Sequence, residues 1–130
     1  MLKESDLAQY TGDLERWRHQ LCPSLLYTPG IKYLCEHGGE GEGNGAWWLL
    51  DAIASYQNNF SINNNEDLRY LQFWKLKVND NKVVLTCEDG NGNIIITQHI
   101  GYTDFCLPEI KIWVADNGDG TRTAYLPSEH

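Results

Sequence analysis

Residues 45–57, Gly-Ala-Trp-Trp-Leu-Leu-Asp-Ala-Ile-Ala-Ser-Tyr-Gln, constrain this chain more than any other stretch. Placed on a helix at about 100° per residue, Ala46, Leu49, Leu50 and Ile53 form one apolar stripe, and Trp47, Ala52, Ala54 and Tyr56 widen it over most of the circumference. Asp51 and Ser55 interrupt it. Such a helix cannot lie on a surface with one side wet. Other structure has to cover it nearly all round.

The second half of the chain supplies a cover, because there the apolar period drops to two. Residues 73–78 alternate, Asn79-Asp80-Asn81 turns, and residues 82–87 return with Val83, Leu85 and Cys87 on one face. A second turn at 89–92 leads into a strand at 93–100, with Ile94, Ile96 and Ile100 facing one way. Beyond Pro108, Ile110, Ile112 and Val114 alternate with polar neighbours, and residues 116–120 turn into a last strand at 121–126. Trp74, Leu76, Val78, Val83, Leu85, Ile94, Ile96, Ile110 and Ile112 are the expected inward set.

The first half reads as helical. Ser5 opens a short helix that Thr11-Gly12 ends. In residues 13–21 the positions of Leu14, Trp17, Arg18 and Leu21 fit helical spacing, while Leu25-Leu26-Tyr27 beyond Pro23 resembles a strand; a helix is the reading adopted for 13–21. Thr28-Pro29 is a strong helix start, with a hydroxyl at the N-cap and proline where its missing N–H costs nothing. Residues 38–45 read as a flexible acidic loop, and the polar run 58–67 as a connection. The expected fold is one α+β domain over 1–130, helical over about 5–57 and sheet over about 70–127. Two to three helices would pack on one face of an antiparallel sheet of about five strands.

Charge narrows the function classes. Ten Lys and Arg against eighteen Asp and Glu give −8, which opposes sequence-blind contact with phosphate backbones or anionic lipid. Nucleic acid and membrane are therefore not the expected partners. No run has the length of a signal peptide or a membrane span, and Cys22, Cys35, Cys87 and Cys106 lack a dense disulfide spacing, so reduced thiols in a cytoplasm are expected.

Two motifs, Tyr27-Thr28-x-Gly30 and Gly45-Ala46-x-Trp48-Leu49-x-Asp51-x-Ile53, together with Phe73-Trp74-x-Leu76 and Tyr102-Thr103-Asp104-Phe105, carry a likeness over most of the chain. On them the chain resembles a family of small uncharacterised bacterial proteins of cyanobacterial and plasmid origin. In that pattern the position of Trp47 is usually tyrosine, and residues 40–44 look like an insertion. The resemblance implies a fold and a genomic setting and brings no catalytic residue with it.

Several stretches invite chemistry. Gly41-x-Gly43-x-Gly45 precedes a helix, yet it lacks the Lys-Ser or Lys-Thr of a phosphate loop and carries Glu42. Asp116-Asn117-Gly118-Asp119-Gly120 resembles a calcium loop, but Ala115 and Leu126 would fall at its first and last ligand positions, so a tight turn is expected. Cys35, His37, Cys87, His99 and Cys106 are the available metal ligands, without the close pairs that preorganise zinc. A Cys/His pair from the same set is the enzyme alternative, and no catalytic residue, metal or cofactor is assigned. On the wetter face of the sheet, Phe73 and Trp113 with Lys75, Lys77 and Lys111 suit a second small layer or a protein contact.

Asp51 is the one charge in the apolar helix and must be hydrogen-bonded, paired or at an opening. If it marks a pocket, Trp47 and Trp48 are the walls and Ser55 shares the face, with Arg16 or Arg18 as candidate counter-charges. Five tryptophans and seven tyrosines supply interface anchors. The expected role is a protein-binding or accessory module, through an unidentified partner or self-association, in a mobile-element setting. An acidic mimic of nucleic acid is the further alternative.

Overall fold

A computed structural model describes residues 2–12, 15–39, 45–80, 82–101 and 103–130. Residues 40–44 of the loop expected at 38–45, and with them the Gly41-x-Gly43 stretch, lie outside the described residues, as do Met1, Asp13, Leu14, Asn81 and Tyr102. The chain runs α1 (Glu4–Ala8), β1 (Trp17–Arg18), β2 (Leu25–Tyr27), α2 (Pro29–His37), α3 (Trp47–Ser55), α4 (Phe60–Asn63), α5 (Glu66–Tyr70), β3 (Leu71–Asn79), β4 (Lys82–Glu88), β5 (Ile94–Ile100), β6 (Glu109–Asp116), β7 (Arg122–Tyr125) and a 3₁₀ turn (Pro127–Glu129).

The strands form one sheet in the order β1-β2-β7-β6-β3-β4-β5. Every pairing is antiparallel except β2 with β7, which is parallel. The class is α+β, but the expected five antiparallel strands under two or three helices are corrected to a mixed sheet of seven strands and five α-helices among the described residues.

The two short strands left out of that count share a cause. Strands of two and three residues are too short to show a period, and they exist through their partners. Leu25 and Tyr27 lie opposite Arg122 and Ala124, and Trp17 and Arg18 opposite Tyr27 and Leu26, where a helix over 13–21 was expected. Bonds from Arg122 N to Ser24 O (2.8 Å) and Thr28 N to Ala124 O (3.3 Å) extend the ladder at both ends. In the run expected to be a connection, Asn59 Oδ1 accepts from Ser61 N and Asn65 Oδ1 from Leu68 N. The asparagines that looked like loop composition cap α4 and α5.

Helix α2 starts where its sequence places it, with Thr28 Oγ1 accepting from Ile31 N at 3.3 Å and Pro29 in the first turn. Glu129 adds a second, distant cap. Its carboxylate accepts from Thr28 Oγ1 (2.7 Å), Gly30 N (3.2 Å) and Leu126 N (3.0 Å), a negative charge at the positive end of the helix. Position 30 must be glycine for this, since a Cβ there would stand 2.6 Å from Glu129 Oε1.

The expected cover nearly all round α3 is corrected: the helix buries Leu49, Leu50, Ile53 and Ala54, while Trp47, Asp51 and Ser55, spaced four apart, form an exposed stripe. Leu49, Leu50 and Ile53 join Trp74, Leu76, Leu85, Ile112 and Val114 in one buried cluster, and the Tyr56 ring lies 5.5 Å from Trp74. The inward set holds with one exception, Ile94, which is 58% exposed. Cys87 pairs with Ile96 but Glu88 with Ile94, so a bulge at Ile95 turns Ile94 to the opposite face.

Polar groups inside are matched. The Gln57 and Gln72 side-chain amides donate to each other at 3.0 and 2.9 Å, and Trp74 Nε1 donates to Gln72 Oε1 at 2.8 Å. Arg122 Nη1 reaches Gln57 O at 3.2 Å, tying β7 to the end of α3. No described helix is long and apolar enough to cross a membrane. Gln72→Leu fits the apolar volume but orphans the buried Trp74 N–H, while the Gln57 amide keeps Ile53 O and Arg122 Nη1 as partners. It is expected to lower stability by about 1–3 kcal/mol for that orphaned group, read from the urea midpoint at unchanged m-value.

Candidate functional site

Asp51 lies on the side of α3 that faces the β1–β2 hairpin. There His19 Nε2 meets Asp51 Oδ1 at 2.8 Å. The other ring nitrogen, Nδ1, accepts from Leu21 N at 3.2 Å and Cys22 N at 3.0 Å. Two N–H groups aimed at Nδ1 assign the proton to Nε2, so the imidazole donates to the carboxylate. The pair is asymmetric in exposure, with the His19 side chain 8% and the Asp51 side chain 58% accessible. His19 is the buried bracket and Asp51 the group it presents.

Around Asp51 is a half-open cleft of about 490 Å³, lined by Tyr27, Trp47, Leu21, Lys32 and the His19–Asp51 pair. Tyr27 stacks on Trp17 at 6.1 Å and meets Trp47 edge-on at 5.7 Å, so aromatic contact runs from the hairpin to α3. Burial, with Cys35 and Glu36 near, holds the Tyr27 hydroxyl above its usual value, and it stays a neutral phenol. Lys32 Nζ sits 4.6 Å over the Trp17 ring and 3.8 Å from Glu36 Oε1.

Of the pocket residues expected from the sequence, Asp51 and Trp47 line this cleft. Trp48 points elsewhere, edge-on to Phe105 at 6.4 Å, and lines a separate depression with Ile100, Thr103 and Asp104. Ser55 is exposed and donates to Ala52 O at 2.6 Å. The carboxylate's partner is His19, while Arg18 donates to the Pro23 carbonyl. His19, Tyr27, Lys32 and Leu21 were not legible as site residues, because the hairpin that carries them is joined to α3 only by the fold. Leu21, 88% exposed beside the buried Cys22, stands out only once the fold is known.

The thiol and imidazole candidates are spread over the molecule. Cys35 is buried in α2 and Cys87 in β4, His99 lies on β5 opposite Val84, and the exposed His37 packs its ring 4.4 Å from Tyr33. Cys106 Sγ donates to Leu2 O at 3.6 Å. Among the described residues no group of three or more His, Cys, Asp or Glu is placed to hold a metal. Burial first, then the charges of Asp51 and Glu36, pushes the Cys35 thiol up to about 12. Burial likewise pushes Cys87 up to about 12, against a lowering hydrogen bond from the Phe73 backbone. A thiol so raised holds almost no thiolate at neutral pH, and thiolate is the nucleophile.

The other readings resolve locally. At residues 116–120 the Asp119 carboxylate accepts from Thr121 N and Oγ1, which holds it below the usual carboxylate range, and Gly118 and Gly120 take positive φ. That is a tight turn between β6 and β7. On the outer face Phe73 meets Trp113 edge-on at 5.2 Å, and Tyr125 and His130, from the C-terminal end, extend the cluster where a second small layer was one expectation. Lys75 pairs with Glu109 at 3.5 Å.

These features define a mixed-sheet α+β protein with an aromatic, acid-bearing cleft between a helix and an edge hairpin. Residues 1–130 match the family of unknown function DUF6876, and the chain belongs to that family. A crystal structure of a protein of unknown function from Enterococcus faecalis is similar at 18% identity, over 91% of this chain and 93% of that chain, with a TM-score of 0.54. At that identity the likeness bears on the fold. No curated protein matches the chain.

Two outcomes follow from the geometry. Asp51→Asn keeps an acceptor for His19 Nε2 and is expected to cost less than about 1 kcal/mol, whereas His19→Ala strands two backbone N–H groups and costs about 1–3 kcal/mol, both by urea unfolding. The raised thiols also set a pH dependence. In the folded chain Cys35 and Cys87 keep their protons to about 12, while unfolded thiols ionise from 9.0. Their contribution is complete below pH 9 and is lost as pH rises towards 12, by up to about 1.4 kcal/mol per unit per thiol. The raised hydroxyls of Tyr10, Tyr27 and Tyr125 act in the same direction, so the thiol part is the slope removed by Cys35→Ala with Cys87→Ala.

Proposed function

We propose that this protein is a binding module whose cleft between α3 and the β1–β2 hairpin receives a segment of a partner protein. One observation carries the reading: His19 has both ring nitrogens engaged, so it orients Asp51 and has no lone pair left to take a proton from a substrate. The pair presents a carboxylate and does not relay protons. Beside it stand Trp47 and Leu21, 38% and 88% exposed, the kind of apolar anchor that a protein interface covers.

The reading places the chain in a reducing cytoplasm, supported by four free cysteines of which three are buried. It also takes up the bacterial mobile-element setting that the resemblance implies. Selection of a displayed random-peptide library on the immobilised protein tests it, with the Leu21→Ser, Trp47→Ala double variant as counter-target. Peptides that bind the native chain and lose the variant are expected. Enrichment that ignores the double change, or no enrichment, overturns the reading.

A further inference from the structure

Resting on that reading, we infer that the cleft selects a cationic side chain, lysine or arginine, with Asp51 as the charge that recognises it and Trp47 and Tyr27 as the walls that hold its aliphatic stem. Asp51 stands more than half exposed on the cleft, with Oδ1 committed to His19. Among the described residues no hydrogen bond other than that of His19 reaches this carboxylate. A partly desolvated carboxylate beside aromatic faces is matched by a cation, which gains both the charge-assisted hydrogen bond and the attraction of the ring quadrupole.

The cation already in the cleft does not fill this role. Lys32 lies over Trp17 and against Glu36, where its charge is answered. The neutral phenol of Tyr27 and the Nε2–H of His19 add no competing negative charge. At longer range a chain of −8 draws cations and repels anions. Because Oδ1 already accepts from His19, an arginine fork has to share that oxygen and loses part of its advantage, so lysine and arginine are expected within a few-fold of each other.

The test is a ¹H–¹⁵N NMR titration that follows the Trp47 indole N–H, assigned by its loss in Trp47→Phe. The probes are the N-acetyl methylamides of lysine, arginine, norleucine and glutamate. Lysine and arginine are expected to shift the signal saturably, more weakly as salt is raised, with norleucine and glutamate at least tenfold weaker. Asp51→Asn, which keeps the bond from His19, is expected to remove the preference for lysine over norleucine. Equal response to norleucine and lysine, or a preference unchanged in Asp51→Asn, overturns the cation assignment while leaving the cleft as a binding site. Silence towards all four probes also overturns the assignment, and the peptide selection then decides separately whether the cleft binds a partner.

Discussion

The parallel pairing of β2 with β7 is the contact on which the rest of this structure depends. It joins residues 25–27 to residues 122–124 and so carries the hairpin with His19, Leu21 and Tyr27 to the flank of α3. Two further interactions hold it. Arg122 reaches from β7 to the Gln57 carbonyl at the end of α3, and Glu129 crosses back to cap α2 through Thr28 and Gly30. The strand is only three residues long, so its ladder would be marginal in isolation. It persists because the helix that follows is pinned by the same C-terminal segment.

The cleft shows how a fold can place a charge without burying it. The imidazole takes the buried position and satisfies two backbone N–H groups, while the carboxylate stays in reach of water. Desolvation therefore falls on the neutral partner, where it costs least. Burial first, and the Asp51 charge after it, raise the Cys35 thiol, so the carboxylate that dresses the cleft also adds to the quieting of a buried nucleophile.

What was legible in the sequence was whatever a local period or a capping pair could encode. Helix α3, the start of α2 at Thr28-Pro29 and the five strands β3 to β7 are all in that class. Leu25-Leu26-Tyr27 resembled a strand, but nothing in it announces a parallel partner almost a hundred residues away, and Trp17-Arg18 was read as helix. The asparagine-rich run hid α4 and α5 for the opposite reason, because capping side chains and loop side chains are the same residues. Asp51 stood out as a charge in an apolar helix, but its partner did not. No motif marked His19, to which the fold gives a carboxylate and two backbone donors. Trp48 and Ser55 fell off the cleft because a shared helical face is wider than one opening.

The bulge at Ile95 reaches beyond the side chain it turns outward. Strand β5 is an edge of the sheet, and Ile94–Ile100 contains no lysine, arginine, aspartate, glutamate or proline, the residues that ordinarily stop one edge from templating another. The bulge twists the strand at its start and interrupts the row of backbone groups there, while Ile96 to Ile100 keep a regular register with β4. At the start of β5 the guard against edge-to-edge aggregation is written in backbone register and not in charge.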